Sequence, residues 1–222
     1  MVYYGQAGTL TLMSISRPQE MLEEQIEAAV RILKDDGLVA IPTDTLYGLA
    51  ASPFSKKAIE SIFALKGRPT QHAIPLLISE SSDLTQWTKN IPQITWDLAE
   101  QFWPGALTLV LKKADIIPET VSGGMDTIAL RVPDHQVTRN IIQRLGTPIT
   151  GTSANRSGKP GLYTGKSVRE EFRNEIDLVV DQGDTCPGIA STVLDISGNR
   201  PHILRQGAVP EHEIYRVCKT KL

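Results

Sequence analysis

The sequence has few of the features that mark secreted, membrane or nucleic-acid-coating proteins. Only two of its 222 residues are cysteine, Cys186 and Cys218, too few for a disulfide framework or a cysteine zinc site. They are predicted to be reduced thiols of a cytosolic protein. No apolar run reaches the ~18 residues that a membrane span needs. The net charge of −2 and the 5% of aromatic residues argue against broad nucleic-acid binding, so any anion site must be local.

The chain is predicted to be one domain over residues 16–208. Residues 1–15 have neither a basic segment nor a true apolar one, so they do not resemble a signal peptide. We treat them as an N-terminal extension, because Met13 would also serve as a start. Residues 209–222 are expected to form a C-terminal tail. The chain is predicted to lack regular structure after about Gln206.

Hydrophobic patterns predict alternating helices and strands. The predicted helices cover 19–36, 55–66, 93–102, 135–145 and 167–174. The predicted strands cover 38–41, 74–78, 106–111, 127–132, 177–181, 191–196 and 202–205. Strands mixed with helices in uneven order indicate an α/β fold with an open mixed sheet.

Local signals define several helix ends. Ser55 is a predicted N-cap and Gly67 the end of the same helix. Gly37 stands where a C-terminal cap belongs, and Ser167 with Glu170 forms a predicted capping box. These residues set the boundaries of the helices that flank the polar turns described next.

Two stretches imitate known catalytic motifs. "PGLYTGKS" (160–167) has Pro160 where a P-loop needs its first glycine, which favours a turn leading into a capped helix. "GTSAN" (151–155) has Asn155 where a nucleophile elbow needs its second glycine. A serine hydrolase is therefore disfavoured but remains an alternative.

Lys66 and Arg68 stand at the end of a predicted helix, in "FALKGRP" (63–69). They could simply complement the negative end of the helix dipole. Alternatively, Gly67 turns the chain and Pro69 stiffens it, so that both cations face one anion. A phosphate chain would suit them.

Two other turns are rich in small polar residues. In 42–48 the polar residues follow a buried strand, and open α/β sheets bind ligands at such strand ends. A hydrogen-bonded turn capped by Asp44 explains the pattern equally well. The second turn, 151–161, crowds serine, asparagine, arginine and lysine among glycines. If these turns and 66–69 converge, they form a concave site for a polar anion.

Seven motifs together resemble the YrdC/TsaC family of L-threonylcarbamoyladenylate synthases. They occur in the family's order between about residues 22 and 208: "PTDTLYGL", "LKGRP", "WPGALTLVL", "IALRVP", "TSANRSG", "STVLDI" and "ILRQG". The family's Lys-x-Arg and Ser-x-Asn signatures are matched by Lys66, Arg68, Ser153 and Asn155. Because longer members add a second C-terminal domain, the chain resembles the short, single-domain form.

The resemblance implies both a fold and a reaction. The family's open, twisted sheet curves around a deep, positively lined cavity. Its nucleotidyltransferases combine L-threonine, bicarbonate and ATP into threonylcarbamoyl-AMP and pyrophosphate, with Mg²⁺ expected on the phosphates and water rather than on a protein ligand cluster. A separate cytoplasmic threonylcarbamoyl-transferase complex then modifies the adenosine beside the anticodon of tRNA. Weak direct contact with tRNA is possible.

The resemblance also assigns roles to individual residues. Lys66 and Arg68 are the implied catalytic residues. The implied ATP contacts are Lys66, Arg68, Thr108, Ser153, Asn155, Gly161 and Arg205. The implied threonine contacts are Thr43, Arg131, Gly151 and Ser191. For Arg131, a structural ion pair on a strand is the alternative.

Two other functions remain as alternatives. A non-catalytic RNA-binding protein of RNA or ribosome maturation could use the same cavity, although the low net charge and aromatic content disfavour it. A carbamoyl-adenylate domain, like that of the hydrogenase-maturation carbamoyltransferases, could share the fold. Those domains lie in much longer chains.

Overall fold

The computed structural model describes residues 17–68, 72–183, 188–198 and 200–220. The predicted N-terminal extension, Pro69 and Cys186 lie outside the described residues. None of the helices in this part of the chain is long and apolar enough to cross a membrane.

The described residues form eight α-helices and ten short strands. The helices are α1 Arg17–Lys34, α2 Lys56–Lys66, α3 Leu84–Trp87, α4 Gln93–Phe102, α5 Glu119–Ser122, α6 Gln136–Leu145, α7 Gly165–Phe172 and α8 Glu211–Thr220. The strands are β1 Val39–Ile41, β2 Gly48–Ala50, β3 Leu76–Leu77, β4 Leu107–Lys112, β5 Thr127–Arg131, β6 Ile149–Thr150, β7 Thr152–Ser153, β8 Leu178–Val179, β9 Thr192–Asp195 and β10 His202–Arg205. The predicted α/β class is confirmed.

The strands are divided between two mixed sheets. One has the order β7-β2-β1-β8 and the other β10-β9-β4-β5-β3-β6. In the first, β1 is antiparallel to β2 and parallel to β8; in the second, β4 is antiparallel to β5 and parallel to β9. Strands β6 and β7 are separated by Gly151 alone, so this segment passes from one sheet to the other.

Two apolar clusters hold the layers together. In the smaller, the apolar face of α1 packs with α6 against β1, and Leu33 and Ile141 are fully buried there. The larger surrounds Tyr47, Ile62 and Phe172. Burying each large apolar side chain contributes about 1.5–3 kcal/mol, so these clusters fix the sheets and the turns between them.

Helix α2 begins and ends as the sequence predicts. The Ser55 hydroxyl oxygen accepts the N–H of Ala58 at 3.1 Å. Gly67 adopts the left-handed conformation with φ 61°, and the next amide, that of Arg68, donates to the carbonyl of Phe63. This glycine cap places Lys66 and Arg68 on either side of a fixed turn.

The predicted cap at Gly37 is wrong in its detail. Asp36 takes the positive φ of 62° instead, and Gly37 donates its N–H to the carbonyl of Ile32 at 2.9 Å. A β-carbon on Gly37 would lie 2.5 Å from the side chain of Ile32. The glycine is therefore required for close approach, not for its φ angle.

The predicted capping box of Ser167 and Glu170 is also wrong. The N-cap of α7 is Thr164, whose side-chain oxygen accepts the N–H of Ser167 at 3.0 Å. The Ser167 hydroxyl donates to the carbonyl of Thr164. With Ser167 as the N-cap, the helix would begin at residue 168. It begins three residues earlier, at Gly165, because the Thr164 hydroxyl provides the same capping hydrogen bond.

The sequence predicts an irregular C-terminal segment, and this prediction is wrong. The segment forms α8, whose Ile214 and Cys218 are buried in the larger cluster. Pro210 precedes the helix, and Glu211 and Glu213 occupy its first turn, where acidic side chains suit the helix dipole.

Candidate functional site

The three polar turns converge on one cavity of about 430 Å³. Residues of 42–48, the end of α2 and the segment 151–158 line it together, and the second sheet supplies its remaining wall through β3, β4, β5, β9 and β10. The turns also bind each other directly, because the Tyr47 carbonyl accepts the N–H of Ala154 at 2.7 Å. The concave shape anticipated from the sequence is therefore present.

Ten of the eleven predicted site residues line this cavity. They are Thr43, Lys66, Arg68, Thr108, Arg131, Gly151, Ser153, Asn155, Ser191 and Arg205. Gly161 packs instead against Leu46, whose nearest side-chain carbon would lie 2.5 Å from an added β-carbon. Gly161 thus allows the loop to approach the 42–48 turn, and its predicted ATP contact remains untested.

Lys66 joins two of the turns. Its buried ammonium donates to the carbonyls of Ser153 at 2.5 Å and Asn155 at 2.8 Å. In return, its own carbonyl accepts the N–H of Ser157 at 3.0 Å. Because a lysine ammonium has three hydrogens, one remains for an anion in the cavity.

Lys66 should make anion binding depend on pH. Burial, and secondarily the positive charge of Arg68, lower the pKa of Lys66 to about 8. The side chain is charged below this pH and neutral above it, and phosphate prefers the charged form. Titration calorimetry should show ATP affinity falling by up to about tenfold per unit above pH 8. Lys66→Arg, which stays charged, should flatten the profile; a flat wild-type profile would contradict this role.

Ser153 and Asn155 direct their hydrogens into their own loop. The Ser153 hydroxyl donates to Asn155 Oδ1 at 2.5 Å, and Asn155 Nδ2 donates to the carbonyls of Arg156 and Lys159. In this arrangement the signature residues shape the loop around the cavity. Their predicted contact with ATP oxygens would require these hydrogens to be redirected.

Thr43 has a comparable role in the 42–48 turn. Its hydroxyl donates to the Leu46 carbonyl at 2.6 Å and its oxygen accepts the amides of Thr45 and Leu46. The hydrogen-bonded turn, which was one of the two interpretations of residues 42–48, is therefore present. Thr43 closes it, and not Asp44 as predicted. Its predicted role as a threonine ligand remains untested.

Thr43→Val should therefore destabilise the protein. It removes the donor to a carbonyl and the acceptor of two amides, at an expected cost of about 1–3 kcal/mol in the free energy of unfolding. Urea denaturation measures this. Thr85→Val is a matched control, because the Thr85 hydroxyl bonds a carbonyl on an exposed turn. Equal stability of the two variants would refute the structural role of Thr43.

Thr108, Ser191 and Arg205 act as one hydrogen-bonded group. The hydroxyls of Thr108 and Ser191 are buried and 2.8 Å apart. Arg205 donates to the carbonyl of Ser191 at 2.9 Å and to its hydroxyl at 3.1 Å. One hydroxyl must donate to the other, so the pair retains one O–H donor and favours a ligand atom that accepts.

Arg131 forms a structural ion pair, which is the alternative to threonine binding that its sequence position allows. Its guanidinium donates to the Asp44 carboxylate and is almost fully buried. Burial lowers the pKa of Arg131, while the Asp44 carboxylate opposes this shift. Arg131 also lines the cavity, so the ion pair does not preclude contact with a ligand.

The charge around the cavity has one sign. Lys66, Arg68, Arg131 and Arg205 line it, whereas no carboxylate does so among the described residues. The nearby Asp44 is paired with Arg131. No group of three or more potential metal-binding side chains occurs in the described ranges. The lining suits an anion better than a metal ion held by protein carboxylates.

Two residues without a role predicted from the sequence, Thr45 and Arg156, help to shape the site. Thr45 is buried, lines the cavity and contacts Arg131. Arg156 is absent from the described cavity lining. It donates to the Leu65 carbonyl and pairs with Glu171 and Glu175. Both contacts join residues more than 80 positions apart, which no local pattern reveals.

Comparison with known proteins gives consistent matches. The family model Sua5_yciO_yrdC, described as "Telomere recombination", matches residues 31–207. The threonylcarbamoyl-AMP synthase of Pyrococcus abyssi is 39% identical over 200 residues, covering 90% of this chain and 59% of the relative. That of Bacillus subtilis is 37% identical over 196 residues, covering 88% and 57%.

A solved structure agrees with the sequence matches. The crystal structure of P. abyssi Sua5 complexed with L-threonine has a TM-score of 0.85 and 39% identity, covering 88% of this chain and 57% of that one. The chain thus spans less than two thirds of the length of these relatives. The family model covers all of the residues that line the cavity, and the chain belongs to the Sua5/YciO/YrdC family.

Proposed function

We propose that this chain is a nucleotidyltransferase that makes threonylcarbamoyl-AMP from L-threonine, bicarbonate and ATP, with release of pyrophosphate. The observation that carries the proposal is the convergence of four cations on one cavity without a lining carboxylate in the described residues. Two cations, Lys66 and Arg68, come from one rigid helix end. The names of the relatives and the threonine complex of P. abyssi Sua5 support the choice of substrates.

The first chemical step joins threonine and bicarbonate. The amine of threonine attacks the bicarbonate carbon, and loss of water leaves an N-carboxy-threonine. The amine must be neutral to attack, so its ammonium proton leaves beforehand. In the proposal, threonine lies near Arg131 and Ser191, and Thr108, whose hydroxyl is 2.8 Å from that of Ser191, lies on the side of ATP.

The second step is nucleotidyl transfer. The new carboxylate attacks the α-phosphorus of ATP, and the bond from that phosphorus to the bridging oxygen of the β-phosphate breaks. Pyrophosphate leaves with the electron pair. Lys66 and Arg68 neutralise the charge that develops on the phosphates, so catalysis depends on positioning and electrostatics and requires no protein nucleophile.

Magnesium enters the proposal as part of the substrate MgATP. The cavity lining offers it no carboxylate among the described residues. Phosphate oxygens and water are its proposed ligands.

The product has proposed uses outside this chain. A separate threonylcarbamoyl-transferase complex consumes the adenylate to modify tRNA beside the anticodon, in the cytoplasm. The net charge of −2 and the 5% of aromatic residues give no sign of a broad RNA-binding surface, so tRNA is proposed to take no part in the adenylation.

Mass spectrometry of the reaction mixture tests the proposal. The purified chain with MgATP, L-threonine and ¹³C-bicarbonate should form an adenylate that carries the label in its carbamoyl carbon. Omitting threonine should remove this species. An ATP-consuming reaction that never incorporates the label would contradict the proposed reaction.

A further inference from the structure

Three protein contacts hold the guanidinium of Arg131. Nε donates to the Gly105 carbonyl at 2.8 Å, Nη1 to the Thr45 hydroxyl oxygen at 3.0 Å, and Nη2 to the Asp44 carboxylate. A guanidinium has five N–H donors. One hydrogen on each terminal nitrogen is therefore left, on a side chain that is 6% exposed and lines the cavity.

The contact with Thr45 is part of a hydrogen-bond chain with a fixed direction. Arginine can only donate, so Thr45 accepts from Arg131. The single hydroxyl hydrogen of Thr43 is given to Leu46. The 3.0 Å contact between the two threonine hydroxyls must then run from Thr45 to Thr43. The order is Arg131 to Thr45 to Thr43 to the Leu46 carbonyl.

Asp44 fixes the other terminal nitrogen of Arg131. Its Oδ1 also accepts the backbone N–H of Asp134 at 3.0 Å, on the loop that follows β5. Asp44 and Thr45 are neighbours in one turn, whereas Gly105 precedes β4. The guanidinium is thus held from two sides by separate parts of the fold, and its plane cannot rotate without breaking a buried bond.

We propose that Thr45 and Asp44 are positioning residues that hold Arg131 so that its two remaining N–H groups receive the carboxylate of the amino-acid substrate. One N–H group is left on each terminal nitrogen, and a carboxylate has two oxygens that can accept from them. The substrate in this inference rests on the proposed function, but the positioning of Arg131 does not. Neither Thr45 nor Asp44 needs to touch the substrate.

The chain offers a matched pair of threonines for a test. Thr45→Val keeps the shape but breaks the hydrogen-bond chain, whereas Thr45→Ser retains the hydroxyl. Thr138→Val is the control for structural damage. The Thr138 hydroxyl is equally buried and donates to the carbonyl of Pro42 in the same region, yet Thr138 is absent from the described cavity lining.

The first measurement requires no substrate. Proton–nitrogen NMR of arginine side chains, with the Arg131 signal assigned from its loss in Arg131→Lys, reports how firmly Nε–H is held. Thr45→Val should shift this signal and speed its exchange with water, and Asp44→Ala should do the same. Thr45→Ser and Thr138→Val should leave it unchanged. An unchanged signal in Thr45→Val would overturn the positioning role.

The second measurement is steady-state kinetics. Thr45→Val should raise KM for threonine about tenfold, because a misaligned guanidinium binds the carboxylate less well. KM for ATP should stay within about twofold, and Thr45→Ser should restore the wild-type value. Equal changes in Thr45→Val and Thr138→Val would overturn the inference. If Thr45→Val alters the Arg131 signal but wild-type turnover does not depend on threonine, the positioning role is supported and the proposed substrate is refuted.

Discussion

Replacing Arg68 with alanine should reduce pyrophosphate release about 100-fold or more while the protein remains folded. Arg68 follows the glycine cap of α2 and lines the cavity. In the proposed reaction it neutralises phosphate charge in the transition state, and removing one such group typically costs 10²–10³ in turnover. The residue is only half-buried, so little core packing is lost.

The Arg68 result needs a folded protein and a matched control. Arg68→Ala should unfold in urea cooperatively and near the wild-type midpoint. Arg31→Ala removes an exposed arginine of α1 that pairs with Glu27, and it should leave turnover unchanged. A folded Arg68→Ala protein with wild-type pyrophosphate release would remove Arg68 from the chemistry.

Replacing Lys66 with methionine should affect both turnover and stability. The variant keeps an unbranched side chain but deletes the donor to the carbonyls of Ser153 and Asn155. Leaving those carbonyls unsatisfied should lower the free energy of unfolding by about 1–3 kcal/mol. Turnover should fall at least as far as in Arg68→Ala, because both the charge and the loop position are lost.

The Lys66 prediction separates two roles for the residue. Urea denaturation measures the structural part and pyrophosphate release the chemical part. If Lys66 only complemented the helix dipole, Lys66→Met would cost a few tenths of a kcal/mol and keep its activity. A stable and active variant would therefore refute the bridging role of this lysine.

The sequence predicts elements well where the signals are local. Helix α2 has both a serine cap and a glycine in the left-handed conformation, and each acts over a few residues. Strands β6 and β7 and helices α3 and α5, each of two to four residues, are not predicted, and neither are strand β2 and helix α8. The strand has only three residues and follows a tight polar turn. Helix α8 was interpreted as tail, although Ile214, Val217 and Cys218 have the spacing of a helical face.

The sequence also identifies which residues surround the cavity but not where their hydrogens point. The patterns at 42–48, 66–69 and 151–161 indicate polar ligand binding without showing that Thr43 closes its own turn. Likewise, two of the three partners of Arg131, Thr45 and Asp44, lie 86 and 87 positions away. Such contacts depend on how the sheets bring distant turns together, which no local pattern encodes.

The most direct test of the central claim is pyrophosphate release by the purified chain without tRNA. With MgATP, L-threonine and bicarbonate it should release pyrophosphate, and omission of either threonine or bicarbonate should abolish the signal, because the attacking carboxylate needs both. Serine should react more slowly, by the roughly 10–200-fold typical of one missing methyl contact. Pyrophosphate release that does not depend on threonine and bicarbonate, or that occurs only when tRNA is added, would contradict the proposed reaction.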